Sequence, residues 1–403
     1  MKELLAQRVN PDVSSALAGL FPKDPDPSAV TFAAGSPNEQ LFPVKAVQAA
    51  FNTAIETQGA HLFQYQSSQG NLALRQKLVT RIAKWGQVTT KAENIVLTVG
   101  GQQGIELVAK ALLDPGDDIA VEVPTYIGAL AAFDLYQPHY HAVPLQADGL
   151  DLDALEATLK RYPKTKLLYT VPDYHNPTGI TMSVAKRQQL VALANRYNVV
   201  ILEDTPYRDL GYESAPLPAI KSFDTEGRVI FLSSFSKILM PALRTGWLVA
   251  DGDILQAILK VRLASDLEAT GVTHAAINAY MDANDIDQHI AHMTTHYKQQ
   301  RDAMLRGLAA YFPDEATYTK PAGGFFDWVT LPQGIDADQL MYDVISPQAH
   351  VTYVPATNFY PNRDVHNALR LSFSGLAPQT IDNGMHRLGD QLKAAIHAAS
   401  PVI

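Results

Sequence analysis

Between residues 95 and 237 short apolar runs alternate with turns and helical stretches, and this alternation narrows the possible folds more than any other feature. Ile95-Val96-Leu97-Thr98-Val99, residues 118–123, Lys166-Leu167-Leu168-Tyr169-Thr170-Val171, Val199-Val200-Ile201-Leu202 and Val229-Ile230-Phe231-Leu232 read as strands. Strands apolar throughout are covered on both faces. Between them, spacings such as Leu190, Leu193, Ala194 and Tyr197 are helical. Strands alternating with helices imply an α/β fold, a mostly parallel sheet flanked by helices. Open sheets of this kind bind ligands beyond the carboxyl ends of their strands, so the loops after each run are where chemistry is expected.

Outside that region the grammar changes. Residues 1 to about 45 are rich in proline and short loops and read as an arm that crosses onto another part of the molecule. Helices are expected over about 44–58 and 72–85, separated by the polar loop Gln64-Tyr65-Gln66-Ser67-Ser68-Gln69-Gly70. After Trp247 comes a long helical region, about 254–311, with breaks near Gly271 and Asn284. An α+β tail and a last helix over about 380–399 complete the chain. The expected domains are therefore the arm 1–45, a large domain 46–285 and a small domain 286–403. A net charge of −9 without a basic block argues against a nucleic-acid partner. The absence of cysteine excludes thiolate catalysis, disulfides and Cys-type zinc sites. No apolar stretch spans a bilayer, and Glu3, Gln7 and Arg8 stand where a signal peptide needs an apolar run. A cytoplasmic protein is expected.

The loops at the strand ends carry a consistent set of side chains. Ser233-Ser234-Phe235-Ser236-Lys237, with Arg244 seven residues on, places hydroxyls and a guanidinium beside a lysine. That set suits a phosphate plus a reactive amine, and lysine amines form Schiff bases with carbonyls, pyridoxal phosphate (PLP) among them. A solvated basic loop is the alternative for this motif alone. Gly101-Gln102-Gln103 opens a helix whose bare N–H groups attract a phosphate, although an ordinary strand-to-helix turn reads the same way. Tyr126, after a strand and Pro124, suits stacking on a flat ring or simple burial in the core. Asn176-Pro177-Thr178-Gly179 offers an amide to a ring hydroxyl, or is a plain turn. Asp204 emerges from an apolar strand, where a carboxylate is costly to bury without a partner. It suits pairing with a pyridinium nitrogen, with helix capping before Pro206 as the competing reading. Tyr207 can reach the same ring's oxygen. Arg370 suits a substrate carboxylate, or an interdomain ion pair.

The ordered set Tyr65, Gly101-Gln102, Tyr126, Asn176-Pro177-Thr178-Gly179, Asp204-x-x-Tyr207, Ser234-x-Ser236-Lys237, Arg244 and Arg370 resembles the class I/II aminotransferases of PLP fold type I. The similarity runs from about residue 30 to 395, and Ser-Phe-Ser-Lys, Pro-Thr-Tyr and Gly-Gly-Phe-Phe-Asp-Trp are most like the 2-aminoadipate/kynurenine aminotransferase branch. The resemblance implies a large domain with a mostly parallel seven-stranded sheet, a smaller α+β C-terminal domain, and PLP as cofactor. It implies that Lys237 carries the cofactor and moves the substrate proton, with Asp204 on the pyridinium and Tyr126 stacked on the ring. Asn176 and Tyr207 would hold the ring oxygen. Gly101, Gln102, Ser234, Ser236 and Arg244 would surround the phosphate, joined by Tyr65 from the neighbouring subunit of a homodimer. Arg370, with Asn176, Gly35 of the arm and Tyr65, would bind the substrate.

One departure bears on specificity. Dicarboxylate-specific members of this branch commonly carry an arm arginine, whereas residues 14–32 contain only Lys23. Asp173-Tyr174-His175 and Ala356-Thr357-Asn358-Phe359 are also expected to reshape the side-chain pocket toward aromatic or aliphatic amino acids. The expected reaction is ping-pong transfer of an amino group from an L-amino acid (aromatic, aliphatic or 2-aminoadipate-like) to a 2-oxo acid such as 2-oxoglutarate. A PLP-dependent lyase on the same scaffold is the nearest alternative. A PLP-binding regulator is remote, because only about 45 loop-rich residues precede the motifs.

Overall fold

The computed structural model describes residues 4–9 and 28–399. A short arm strand, β1 (Val30–Thr31), precedes the central sheet. The strands of that sheet are β2 (Ile95–Thr98), β3 (Asp118–Val123), β4 (His139–Gln146), β5 (Gly149–Leu150), β6 (Leu167–Thr170), β7 (Val200–Asp204), β8 (Val229–Ser234) and β9 (Gly246–Val249). Their spatial order is β2-β9-β8-β7-β6-β3-β4-β5. Strands β8, β7, β6, β3 and β4 are parallel, while β9 runs against both of its neighbours. The expected seven strands are present, and the eighth is the two-residue β5, folded back on β4. The carboxyl ends of β3, β6, β7 and β8 open on one edge, beneath the loops that carry Tyr126, Asn176, Asp204 and Lys237.

Two strands escape a reading based on apolar runs. Strand β4, bordered only by the two-residue edge strand β5, carries His139 and His141 and buries few of its side chains, and β9 is only Gly-Trp-Leu-Val, entered from Arg244 in a left-handed conformation. The helix after β2 covers Gly100–Leu112, several residues earlier than apolar spacing alone indicates. Gly100, at φ 77°, makes the turn in a conformation that costs a side chain dearly. Gly104 lets the helix press on the sheet, since a Cβ there would stand 2.5 Å from Leu232 Cδ1.

Helices at Gly252–Ser265, Gly271–Ala283 and Ile286–Tyr311 fill the long helical region, with breaks where Gly271 and Asn284 stand. Beyond them, β10 (Thr317–Tyr318), β11 (Phe326–Thr330), β13 (Val354–Pro355) and β14 (Ala368–Ser372) form an antiparallel sheet ordered β10-β11-β14-β13. Between these elements, β12 (Val351–Thr352) pairs in parallel with β1, so the arm lies on the C-terminal part of the chain. Val30 and Phe32 pack with Met304, Leu308, Met385 and Leu388 in that core. A Cβ at Gly384 would meet Val30 and Phe32 at 2.7 and 2.8 Å, so the last helix, Pro378–Ala399, seats the arm closely. The proline-rich part of the arm, Lys23 included, falls outside the described residues.

Candidate active site

A cleft of about 270 Å³ lies at the carboxyl edge of the central sheet, closed from the far side by the arm, β11 and β14. Every residue expected to hold the cofactor or the substrate, except Tyr65, lines it: Gly35, Gly101, Gln102, Tyr126, Asn176, Asp204, Tyr207, Ser234, Ser236, Lys237, Arg244 and Arg370. Tyr65 stands 77% exposed on another face, in a loop tied down by a Gln66 N–H that donates to Glu268 Oε2 at 2.5 Å.

The Lys237 ammonium donates to the Gly35 carbonyl at 3.0 Å. Burial pushes this amine down to about 8, helped by the charges of Arg370 and Arg244. Asp204 ends β7 and does not cap a helix; burial raises its carboxyl to about 7, against a 2.7 Å bond donated by the Tyr169 hydroxyl. Tyr207, buried beside it, accepts from Asn176 Nδ2 at 3.5 Å.

Arg370 is 3% exposed and has no acidic partner among the described residues. Its Nη1 donates to Asn176 Oδ1 at 2.9 Å and its Nη2 to the Ala33 carbonyl at 2.5 Å, while Nε is buried without a partner. The guanidinium lies 4.3 Å from the Phe326 ring centre and 5.1 Å from that of Phe359. Burial lowers its pKa to about 10. A buried cation without a counter-charge is costly, so the site is built to receive an anion. This disposes of the ion-pair reading of Arg370.

A second anion position lies across the cleft. Ser234 Oγ bonds Ser236 Oγ at 2.9 Å and accepts from the Ser236 N–H at 3.0 Å. Arg244 reaches the Val99 and Pro241 carbonyls at 3.2 and 3.3 Å, at the cleft mouth. The helix starting at Gly100 points its N-terminus here, and a Cβ on Gly101 would meet nothing within 4 Å. Helix N–H groups, two hydroxyls and a guanidinium around open space suit a phosphate. Gln102 donates to the Gly128 carbonyl at 2.6 Å, and Tyr126, at the N-cap of Ile127–Asp134, directs its hydroxyl to Gln102 Oε1 at 3.5 Å. PLP fits this donor set: a phosphate cradle, a carboxylate for a ring nitrogen, an amide and phenol for a ring oxygen, and an amine of lowered basicity between them.

Two expectations about pocket shape are corrected by the geometry. Asp173, Tyr174 and His175 do not line the cleft. Asp173 bridges Arg187 at 2.6 Å and Arg208 at 3.1 Å, and His175 Nδ1 bonds Thr178 Oγ1 at 2.9 Å. The Tyr174 ring fills the space that Cβ atoms on Gly211 and Gly323 would need. These residues hold the Asn176 loop from behind. Of the Ala356–Phe359 turn, only Phe359 approaches the site, through Arg370. Conversely, the roles of Tyr169 and Phe326 are not evident from spacing. The available signal for Tyr169 is a hydroxyl inside an apolar strand, which when buried needs a partner.

Residues 29–388 match the family described as aminotransferase class I and II. The aromatic-amino-acid aminotransferase 1 of Thermococcus litoralis is 36% identical over 90% of this chain and 88% of its own. The 2-aminoadipate transaminase of Thermus thermophilus is 33% identical over 92% and 91%. The crystal structure of Pyrococcus horikoshii kynurenine aminotransferase superposes with a TM-score of 0.91 at 34% identity, covering 98% of both chains. A lysine of lowered basicity set between two anion sites, in a chain this similar to those enzymes over nearly its full length, places the protein in the class I and II aminotransferase family.

Proposed function

We propose that this aminotransferase uses PLP to move the amino group of an aromatic or aliphatic L-amino acid to a 2-oxo acid such as 2-oxoglutarate. The observation that carries the reading is the meeting of Lys237, Asp204 and Arg370 in one cleft with a group of hydroxyls, helix N–H groups and Arg244 that suits a phosphate. When bound, the cofactor supplies an electron sink for the bond broken at the substrate's Cα. Arg370 binds the substrate carboxylate and, with the Asn176 side chain it holds, fixes the substrate's orientation. Asp204 would pair with a positive ring nitrogen, Tyr126 would cover the ring, and Asn176 and Tyr207 would hold its oxygen. Arg244, Ser234, Ser236, Gly101 and Gln102 anchor the phosphate. Lys237, neutral above about pH 8, would accept on Nζ the proton leaving the substrate's Cα.

The rest of the lining favours an apolar donor. Beyond these groups the described lining residues are mainly Ala33, Ala34, Ile105, Ile127, Pro241 and Phe326, with no further cation to meet a distal carboxylate. The aromatic and 2-aminoadipate aminotransferases it resembles favour transamination over β-elimination or decarboxylation. We further infer a homodimer in which Tyr65, exposed here, completes the partner's phosphate site, and a cytoplasmic location. Among the described residues no helix is long and apolar enough to cross a membrane. We read residues 1–45, 46–285 and 286–403 as an N-terminal arm, a large PLP-binding domain and a small C-terminal domain, the last opening with the helix Ile286–Tyr311 capped by Asp285. Supplying PLP, phenylalanine and 2-oxoglutarate tests the reaction: glutamate and phenylpyruvate should form in equal amounts. Ammonia released without any oxo acid would favour a lyase.

A further inference from the structure

The Asp204 carboxylate has one side-chain hydrogen-bond donor among the described residues, Tyr169 on the neighbouring strand. In the parallel pairing of β6 and β7, Tyr169 stands opposite Leu202. Side chains alternate faces along a strand, so Tyr169, Leu202 and Asp204 share one face. Tyr169 is fully buried, and Phe133 meets its ring edge-on with centroids 5.6 Å apart and an interplanar angle of 74°. The hydroxyl is thereby aimed at Asp204 Oδ2, at 2.7 Å.

We propose that Tyr169 is a positioning residue for the transamination: its hydroxyl holds Asp204 by Oδ2, in the ionised form, and leaves Oδ1 for the cofactor's ring nitrogen. The inference rests on the PLP reading of the cleft. Tyr169 remains a donor at every working pH, because burial and the charge of Asp204 raise its own hydroxyl far above the usual phenol range. The other groups facing Asp204 give it little help. Tyr126, from the loop after β3, and Tyr207, from the turn after β7, are raised by burial and stay neutral. Glu122 of β3 acts on Tyr169 and opposes further negative charge. Lys237, Arg244 and Arg370 share the cleft and make no ion pair with Asp204. With its carboxyl at about 7, Asp204 is balanced between acid and carboxylate. That value already includes the Tyr169 bond, which lowers it; without the bond burial alone would hold Asp204 higher and favour the acid, and only the carboxylate pairs with a positive ring nitrogen.

The test is PLP affinity as a function of pH, by equilibrium dialysis, in wild type, Tyr169→Phe and the control Tyr140→Phe. Tyr140 donates an equally short bond, 2.7 Å, to Asp134 away from the cleft. Tyr169→Phe should weaken PLP about tenfold at neutral pH, the usual size for a bond to a charged group. The acid-side midpoint of its affinity should rise by about one unit, and the deficit should shrink at alkaline pH, where Asp204 is ionised without help. Tyr140→Phe should follow the wild-type profile. Incorporating 3-fluorotyrosine at position 169, a stronger donor, should lower the midpoint, and this decides the matter if the phenylalanine variant does not fold. A ratio of affinities constant across pH, or no loss at all, would overturn the inference alone. A wild type that takes up no PLP would overturn the cofactor reading and this inference with it.

Discussion

Replacing Gly35 by alanine probes the link between the arm and the substrate cation. The backbone at Gly35 suits any residue, so the effect is steric. A Cβ would stand 2.5 Å from Phe326 Cζ and 2.8 Å from its Cε1. Restoring ordinary contact requires the ring or the arm to move by about 1 Å. The ring has little room: Phe326 is 1% exposed, packs edge-on against Tyr207 at 5.6 Å, and lies 4.3 Å from Arg370. If the arm moves instead, the bonds from Arg370 to Ala33, Lys237 to Gly35 and Ser374 to Ser36 lengthen together. Either route displaces the Arg370 guanidinium, the group proposed to bind the substrate carboxylate. Overpacking of this kind costs about 1–3 kcal/mol, which corresponds to roughly 5- to 150-fold in kcat/KM for the amino acid. The phosphate cradle is untouched, so PLP affinity should stay within about twofold. Stopped-flow measurement of the first half-reaction, beside a PLP titration, separates the two. Unchanged kcat/KM, or an equal loss in PLP affinity, would refute the reasoning.

Other perturbations test other parts of the site. Because Lys237 is depressed to about 8 by burial and by Arg370 and Arg244, its neutral fraction saturates above that pH. PLP uptake by the cofactor-free protein should accelerate with pH and level off there; uptake still climbing near the ordinary lysine value of about 10 would contradict the assignment. Lys237→Ala should keep the fold by circular dichroism and lose turnover by at least about 10⁴-fold. Asp173→Asn leaves the buried Arg187 and Arg208 without a counter-charge and should cost about 3–5 kcal/mol, read as a fall in Tm of roughly 6–20 °C. Although burial opposes it, the two arginines hold Asp173 below the usual carboxylate range. Its stabilisation is therefore present at neutral pH and is lost only as pH falls through that lowered value. Mixing Tyr65→Ala and Lys237→Ala proteins should restore up to about a quarter of wild-type activity if subunits share sites, as random pairing requires; none would refute the shared site.

Much of the site is legible in the chain because strands buried on both faces mark themselves by apolar runs, and their carboxyl ends then name the loops. Lys237, Asp204 and Asn176 are found that way. Arg370 is legible as a match for a carboxylate with an ion pair as rival, and its lack of an acidic partner among the described residues is visible only once β14 lies against the arm. What spacing hides depends on contacts between distant segments. Tyr169 matters because β6 sets it opposite Leu202, and Gly35 matters because Phe326, some 290 residues away in the chain, occupies the space a side chain would need. Asp173, Tyr174 and His175 look like pocket residues by their place before Asn176, yet buried arginines and glycines draw them to the opposite side. Strand β4 is hidden by its own polarity, since a strand bordered only by the two-residue β5 and largely open to solvent needs no continuous apolar run.

The central claim, that Lys237 and Arg370 serve an amino acid and a PLP ring in one cleft, is tested most directly by the visible absorption of the PLP-loaded protein. Amino acids are added singly, without any oxo acid. The band should fade fastest with an aromatic or aliphatic amino acid and return on adding 2-oxoglutarate. Arg370→Leu should need at least about tenfold more amino acid for the same fading. A band that fades with no amino acid, or that fades while ammonia accumulates and no oxo acid restores it, would contradict the account.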